Sequence, residues 1–368
     1  MKVAIVHDWL TSFGGGECVV LKLHKLFPEA PIYTTVYNKK ELNKYFKNIE
    51  IKTSFIQKLP FGVKKYRYFL PLMPRAFEEF DLNEYDIVIS SSSCCAKGVN
   101  VNANTLHFCY CHTPMRYAWD MYNQYNNFKG IKKWIISKQM YKLRQWDYIS
   151  SNRVDYFISN SHNVANRIKK HYRRDAEIIY PGINNKFFEK DLEKNKDGYY
   201  LVVSRLVKYK DIETIIKAFN ELNLPLVIVG GGPEEKELKR MAKENIKFAG
   251  FIDDEEIYNI YQKCKSFVYS AEEDFGMVMA EAQAMGKPVI AFNKGGACEI
   301  VKNDITGILF DEPKVENLKK AVLKLENEFE KFKPEQIRES ARKFSEDEFY
   351  RKIKDYIISK YKEEKNEL

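Results

Sequence analysis

The stretch SAEEDFGMVMAEAQAMGKPVIAF, residues 270–292, sets two glutamates, Glu273 and Glu281, eight positions apart around a Phe-Gly pair. A carboxylate near a helix start is favoured by the helix dipole, which accounts for part of the pattern. Glu281, however, falls inside MVMAEAQAMG, a run of Met and small residues that reads as a buried helix. A buried carboxylate needs polar partners, and the vicinal hydroxyls of a sugar or of a nucleotide's ribose are partners of that kind. A second source of chemistry is VSRLVKYKDIETII, where Arg205 and Lys210 stand between a strand-like run and a helical one. Two cations at a strand end can neutralise a diphosphate leaving group without a metal; taken alone, they read equally well as solvated loop residues.

Two further segments carry candidates. In SFGGGECVV, Gly14 and Gly15 open a helix after the first strand, so a ligand can approach the backbone and an anion can meet unpaired N–H groups. The spacing is not the G-x-G-x-x-G of a dinucleotide site, and a plain tight turn stays open. IVGGGPEEKELKR is read mainly as a turn, with Pro233 in the first turn of the following helix. HFCYCHTPMRYAWD holds His107, Cys109, Cys111 and His112, and Cys94 and Cys95 lie in the same half, which makes a zinc site conceivable. Cys109 and Cys111 alternate along a strand-like run, where Cys behaves as a small buried hydrophobe, and no C-x-x-C occurs, so no metal is expected. His112, at the presumed strand end before Thr113-Pro114, is the residue of this group placed to reach a cleft.

These residues need a scaffold, and the chain supplies one by alternating short apolar runs with helix-period segments, the pattern of an α/β fold with parallel sheets. Strands are expected in VAIVHDW, APIYTTVY, IEIKTSF, YDIVISSS, NTLHFCYCH, VDYFISNS and AEIIYP, and again in GYYLVVSRL, LPLVIVGGG, NIKFAGF, KSFVYSA, KPVIAF and TGILF. Between them PGINNKFFEKDLEKNKDG, residues 181–198, reads as a linker. Two Rossmann-like domains follow, residues 1–185 and 186–345, with helix over the last 35 residues ending in a frayed, charged tail. At 368 residues, 45% apolar and 14% aromatic, the chain can fill two cores. The opening MKVAIVHDWL is no signal peptide, no apolar stretch is long enough to span a membrane, and seven cysteines with two adjacent do not suggest a disulfide framework. A reducing cytoplasm is the expected location.

The charge is uneven. Residues 1–185 hold 27 Lys/Arg against 15 Asp/Glu, a balance of +12, and residues 186–368 hold 33 against 36, a balance of −3. Within 129–174 there are 12 basic residues and two acidic ones, Asp147 and Asp155. Such a tract suits an anionic partner, whether phospholipid, phosphorylated substrate or nucleic acid, or is simply a solvated surface; no nucleic-acid motif accompanies it. The aromatic segment YRYFLPLMPRAFEEF, residues 66–80, reads as either a membrane-interface element or a core helix kinked by proline.

Together these features resemble the retaining glycosyltransferases of family 4, over essentially the whole chain. The run from Glu273 to Glu281 with its inner Phe-Gly and the following GKPVIA is the most specific part of the likeness; GGGE (14–17), YPG (180–182), the Arg205/Lys210 pair and Ala249-Gly250 fall in the family's order. CHTPMRYAWD resembles the bacterial mannosyltransferase-like members of O-antigen and surface polysaccharide pathways. The resemblance implies a GT-B fold, an acceptor domain followed by a donor domain across a cleft, with a helix at about 346–368 packing back on the first. It implies that Glu281 binds the donor ribose, that Glu273 and His112 face the transferred sugar, and that the backbone of Phe275, Gly276, Met277 and Val278 binds its hydroxyls. Arg205 and Lys210 would hold the diphosphate under Gly14 and Gly15, and the backbone and pocket around Phe251 and Ile252 would select the base.

Asp274 stands where family members often have Gly or Ser, and Glu272 beside it leaves the identity of the first glutamate ambiguous. No D-x-D occurs, so neither metal nor other cofactor is expected. The implied reaction moves a hexose, mannose from GDP-mannose before a UDP-sugar, to a glycan or lipid-linked acceptor at the inner face of the cell membrane. The alternatives are a UDP-sugar-dependent transferase, a nucleotide-sugar epimerase of the same fold, or a non-enzymatic binder of membranes or anions.

Overall fold

The computed structural model describes residues 1–125 and 129–366. The chain divides into two compact units, Met1–Tyr180 together with the chain from Tyr350 onward, and Pro181–Phe349. In the first unit the strands are β1 (Val3–His7), β2 (Ile32–Thr34), β3 (Ile51–Thr53), β4 (Ile87–Ser92), β5 (Leu106–Cys111), β6 (Tyr156–Ser159) and β7 (Ala176–Ile178). Among the described residues they form one parallel sheet in the order β3-β2-β1-β4-β5-β6-β7. Its central strands β1 and β4 are buried along their whole length, as near-continuous apolar runs must be when helices cover both faces. One core gathers Ala4, Val6 and Val88 with Met73, Phe77 and Cys94, and another gathers Cys109 and Cys111 with Phe157 and Ile168.

The helices that matter to the site are α1 (Gly15–Leu26), α2 (Gly130–Ser151) and α3 (His162–Tyr172) in this unit, α4 (Ile212–Leu222), α5 (Met277–Ala284) and α6 (Pro334–Ala341) in the second, and α7 (Glu346–Asn366). α3 starts where the Ser161 hydroxyl accepts the N–H of Val164 at 3.1 Å, an N-cap. α2 is tied down by a buried ion pair: Asp147 takes Lys97 on one oxygen, and Trp119 Nε1 (2.7 Å) and the Tyr172 hydroxyl (2.9 Å) on the other. α7 is joined to the first sheet by the Tyr156 hydroxyl donating to Glu364 at 2.7 Å and by Phe108 and Tyr156 each against Tyr356.

The second unit repeats the design with β8 (Tyr200–Val203), β9 (Leu226–Val229), β10 (Ile246–Gly250), β11 (Ser266–Tyr269), β12 (Val289–Phe292) and β13 (Gly307–Phe310), parallel and ordered β10-β9-β8-β11-β12-β13. Ile215, Ile216 and Phe219 on α4 pack over Tyr200, Val202 and Ile228 in its core. Both sheets therefore have the Rossmann-like form expected. In each, the strand order reverses beside the first strand, between β1 and β4 and between β8 and β11, and ligands of open parallel sheets bind outside the strand ends at such a reversal.

Three local expectations are corrected. The C-terminal helix is two helices: the chain leaves α6 at Arg342, buries Phe344, and is held there by Ile183 N–H donating to the Phe344 carbonyl at 2.7 Å before α7 begins. Residues 367–368 of the charged tail lie outside the described residues. Residues 66–80 form no kinked α-helix but a 3₁₀ helix (Tyr66–Leu72) running into a short α-helix (Met73–Glu78), because Pro71 has no N–H to continue an α ladder. Pro233 sits in the turn ahead of its helix, which starts at Glu235.

Candidate functional site

At the reversal point of the first sheet, β1 ends on His7, β4 carries Ser91 and β5 leads into His112. Register puts His7 directly beside Ser91. His7 Nδ1 lies 2.9 Å from the Ser91 carbonyl and 3.2 Å from its hydroxyl, and His112 Nε2 lies 2.7 Å from the same hydroxyl. His112 is aimed by its backbone: its N–H donates to the Ser92 carbonyl at 2.8 Å, and its carbonyl accepts Asn160 Nδ2 at 3.1 Å. α1 starts against this pair, since a Cβ on Gly16 would stand 3.5 Å from His7 Cε1 and 3.7 Å from His112 Nε2. Glu17, in the first turn, turns its carboxylate back toward Gly14 and to 3.7 Å from His7 Nε2. Burial opposes a charge on His7, but the hydrogen bond and charge of Glu17 outweigh it and raise its pKa. Burial, and then the facing His7, pull His112 down to about 3.

The helix start at Gly14 and Gly15 is thus not the bare positive end that the glycines suggest. Glu17 occupies it and faces His7 Nε2. Asp8, buried beside His7, is spent on structure: it accepts from the backbone N–H groups of Ser93 (2.6 Å) and Ala96 (2.8 Å).

At the reversal point of the second sheet, the β8–α4 connection brings Lys210 onto Glu273, which follows β11. The Lys210 ammonium and the Tyr269 hydroxyl both bond Glu273 Oε1; Oε2 has no partner among the described residues. Burial raises the Tyr269 pKa, so it stays a donor. Of the two adjacent glutamates Glu273 is the one bound to Lys210, while Glu272 pairs with Lys294 at 3.0 Å. The loop then turns through Gly276 at φ +96°, where a Cβ would also meet Met279 Cε at 2.2 Å. It is pinned from outside: Gly296 N–H donates to the Glu273 carbonyl at 2.9 Å, and a Cβ on Gly296 would strike the Phe275 carbonyl at 1.9 Å. The Phe275 ring itself is buried against Phe344, so this residue meets a ligand only through its backbone.

α5 leaves Gly276 with the N–H groups of Met277 and Val278 in the first turn, where no carbonyl upstream in the helix can take them. Glu281, one turn on, is half-buried on a helix that is otherwise largely buried as expected: Met279, Ala280 and residues 282–284 are buried, and 277, 278 and 281 are half-buried. The Tyr261 hydroxyl lies 3.1 Å from Glu281 Oε2 and 3.1 Å from the Val278 carbonyl. Arg205 is exposed with no side-chain partner among the described residues, so Lys210 and Arg205 follow the same strand but only Lys210 is joined to Glu273. Phe251 is 87% exposed, with its ring 2.6 Å from where a Gly231 Cβ would stand, and Ile252 beside it is half-buried.

The residues weighed as zinc ligands are dispersed. Cys94 and Cys95 belong to one core, Cys109 and Cys111 to another. His107 is buried, bonded to the Ser90 hydroxyl at 2.8 Å and lowered to about 4 chiefly by burial. Among the described residues no three His, Cys, Asp or Glu side chains gather as a metal site. The sequence does not mark His7, Ser91, Tyr261 or Tyr269: the first, second and fourth lie at the ends of buried strands, Tyr261 lies in the helix Asp254–Lys263, and Glu17 is visible only as the last residue of GGGE.

The Glycosyltransferase Family 4 sequence model matches residues 13–187, and that of Glycosyl transferases group 1 matches residues 184–344. The chain belongs to these glycosyltransferases. It is 26% identical to the O-antigen chain mannosyltransferase C of Escherichia coli over 45% of this chain and 48% of that one. It is 25% identical to the α-1,3/1,6-mannosyltransferase ALG2 of Saccharomyces cerevisiae over 83% and 72%. A GDP-mannose-dependent α-mannosyltransferase of Corynebacterium glutamicum is 36% identical over 30% of this chain and 26% of that one. The chain spans between 48% and 61% of the length of the first curated relatives it matches. Among solved structures, Anabaena HepE in complex with UDP superimposes with a TM-score of 0.73 at 18% identity over 98% of this chain and 100% of that one, which shows the shared fold.

Proposed function

We propose that this protein is a retaining, metal-independent hexosyltransferase that moves mannose from GDP-mannose to a glycan or lipid-linked saccharide acceptor in cell-surface polysaccharide synthesis. The observation that carries the reading is the pair of glutamates bracketing the α5 start: Glu273 with Oε1 taken by Lys210 and Tyr269 and Oε2 open, and Glu281 half-buried beside Tyr261. An open carboxylate oxygen accepts sugar hydroxyls, and the first N–H groups of α5 donate to them. Glu281 holds the ribose. The Lys210 ammonium has three N–H donors, so it can keep Glu273 and still meet a diphosphate oxygen, with the exposed Arg205 as the second cation. Together they stabilise the departing diphosphate, which removes the proton from the acceptor on the same face. His112 is read as a sugar contact, and Gly14 and Gly15 at the start of α1 as diphosphate contacts. The mannosyltransferase relatives support the sugar; guanine as the base, beside Phe251 and Ile252, follows the GDP-mannose-dependent relative.

The acceptor end of the reading rests on α2. Ile131, Trp134, Ile135 and Ile149 are 79%, 64%, 49% and 57% exposed on one face of the helix, opposite the buried Leu143 and Asp147. Lys138, its ammonium 5.1 Å from the centre of the Trp134 ring, and Lys142 share that face. Apolar side chains among lysines suit the headgroup boundary of an anionic membrane, at the inner face of the cell membrane. Among the described residues no helix is long and apolar enough to cross one.

Calorimetry with GDP and UDP, on wild type and on Glu281→Gln, tests the donor site. GDP should bind more tightly than UDP, and the variant should lose about 1.5–3 kcal/mol of GDP affinity with its fold intact. Transfer from GDP-mannose should persist in EDTA. Unchanged affinity in the variant would remove Glu281 from the site, and activity restored only by manganese would end the metal-independent reading.

A further inference from the structure

We propose, building on the reading of His112 as a donor-site residue, that Ser91, His7 and Glu17 are positioning residues that lock His112 as a neutral imidazole protonated at Nδ1. In that state His112 offers a ligand an N–H and takes no part in proton transfer. The argument runs through one buried hydroxyl. The Ser91 carbonyl can only accept, and His7 Nδ1 lies 2.9 Å from it, so His7 Nδ1 carries a hydrogen. That N–H also faces the Ser91 hydroxyl at 3.2 Å, where the oxygen must act as acceptor. The hydroxyl's own hydrogen needs another partner, because Ser91 is wholly buried and a buried donor left unpaired is costly. Among the described residues, the acceptor within reach is His112 Nε2 at 2.7 Å. Nε2 therefore accepts, and the proton of His112 sits on Nδ1.

The surroundings keep it there. The titratable groups facing the two rings are Glu17 from α1, Asp8 from the end of β1 and Tyr110 from β5, whose ring centre is 5.4 Å from that of His112. Asp8 is bonded to the Ser93 and Ala96 N–H groups, and the carboxylate of Glu17 is the one that stands 3.7 Å from His7 Nε2. Protonating His112 would break its bond from Ser91 and put a charge on a buried ring whose centre lies 6.5 Å from that of His7. Glu17 faces His7 Nε2, His7 Nδ1 orients Ser91, and Ser91 fixes the tautomer of His112. A residue so held suits hydrogen bonding to a sugar hydroxyl or a phosphate oxygen, not acid–base work.

Long-range ¹H–¹⁵N spectra of the full chain labelled at its six histidines read the tautomer directly, with a His112→Gln sample to assign the signal. His112 should show Nδ1–H and no titration between about pH 5.5 and 8, the range in which an ordinary histidine changes charge. Ser91→Ala should release it, giving mixed tautomers and a midpoint moved up toward the ordinary value, and Ser91→Thr should restore the wild-type pattern. An Nε2–H tautomer in wild type, titration of wild-type His112 within that range, or an unchanged signal in Ser91→Ala each overturns the proposal. The wild-type spectrum decides the first two even if Ser91→Ala does not fold. None of these readouts requires sugar transfer, so a failed transfer assay would refute the proposed function and leave this inference standing.

Discussion

Glu273→Gln should change nucleotide affinity and turnover in opposite directions, because the proposed function gives the two oxygens of Glu273 different duties. One oxygen holds Lys210 and Tyr269; the other is open. Glutamine keeps the shape and can still accept from Tyr269, but it removes the charge. A diphosphate oxygen bound on the far side of the Lys210 ammonium would stand about 6 Å from the carboxylate. At that distance the repulsion is about 1–3 kcal/mol for an effective dielectric between about 20 and 60. The side chains of Lys210 and Glu273 are 15% and 18% exposed, so solvent screening is incomplete and a net relief of about 1 kcal/mol is expected. GDP should therefore bind about fivefold more tightly to Glu273→Gln.

Turnover should fall, since a charge-assisted hydrogen bond from the sugar to Oε2 is lost, worth about 1.5–3 kcal/mol or about 10- to 150-fold in kcat. Lys210→Met supplies the contrast. It removes the cation proposed to meet the diphosphate, so GDP affinity and kcat should fall together, the latter by about a hundredfold or more. Calorimetry with GDP and initial rates with GDP-mannose give both quantities. If Glu273→Gln binds GDP more weakly than wild type, Glu273 does not compete for Lys210. If its kcat is unchanged, Oε2 does not face the reacting sugar. Either result refutes the reasoning.

Asp147→Asn should destabilise the first unit by about 3–5 kcal/mol in urea unfolding, because it strands the fully buried Lys97 without its counter-charge; the double variant Lys97→Met, Asp147→Leu should recover most of that loss. Wild type should co-sediment with anionic liposomes at low salt and much less with neutral ones or at high salt, and Ile131→Glu with Trp134→Glu should abolish that binding while sparing GDP affinity. Equal sedimentation of wild type and the variant would show that the exposed face of α2 is not the membrane contact.

The parts of this architecture legible in the sequence are those that depend on short-range pattern. Val3–His7, Leu226–Val229 and Val289–Phe292 announce themselves as apolar runs because parallel strands are buried on both faces. Glu273, Gly276 and Glu281 are legible because one loop and one helix turn hold them, so spacing along the chain is nearly spacing in space. Glu281 reads as more deeply buried than it is because Met and Ala surround it in sequence; along α5, residues 277, 278 and 281 are half-buried while 279, 280 and 282–284 are buried.

What sequence could not supply was register. His7 meets Ser91 only because β1 pairs with β4 in one particular alignment, and β4 with β5 brings Ser92 against Cys111, one residue short of His112. A shift of one residue in either pairing would turn these side chains to the other face of the sheet and dissolve the cluster, yet the apolar runs would read the same. Tyr269 shows the same limit inside one segment. It closes a buried strand, and nothing in SFVYSAEED distinguishes a packing tyrosine from one whose hydroxyl bonds Glu273. The glutamate of the pair is visible from sequence because a charge among apolar residues demands an explanation. Its tyrosine is not, because an aromatic ring at the end of a buried strand is fully explained by burial alone, and only the distance from its hydroxyl to the carboxylate reveals the second role.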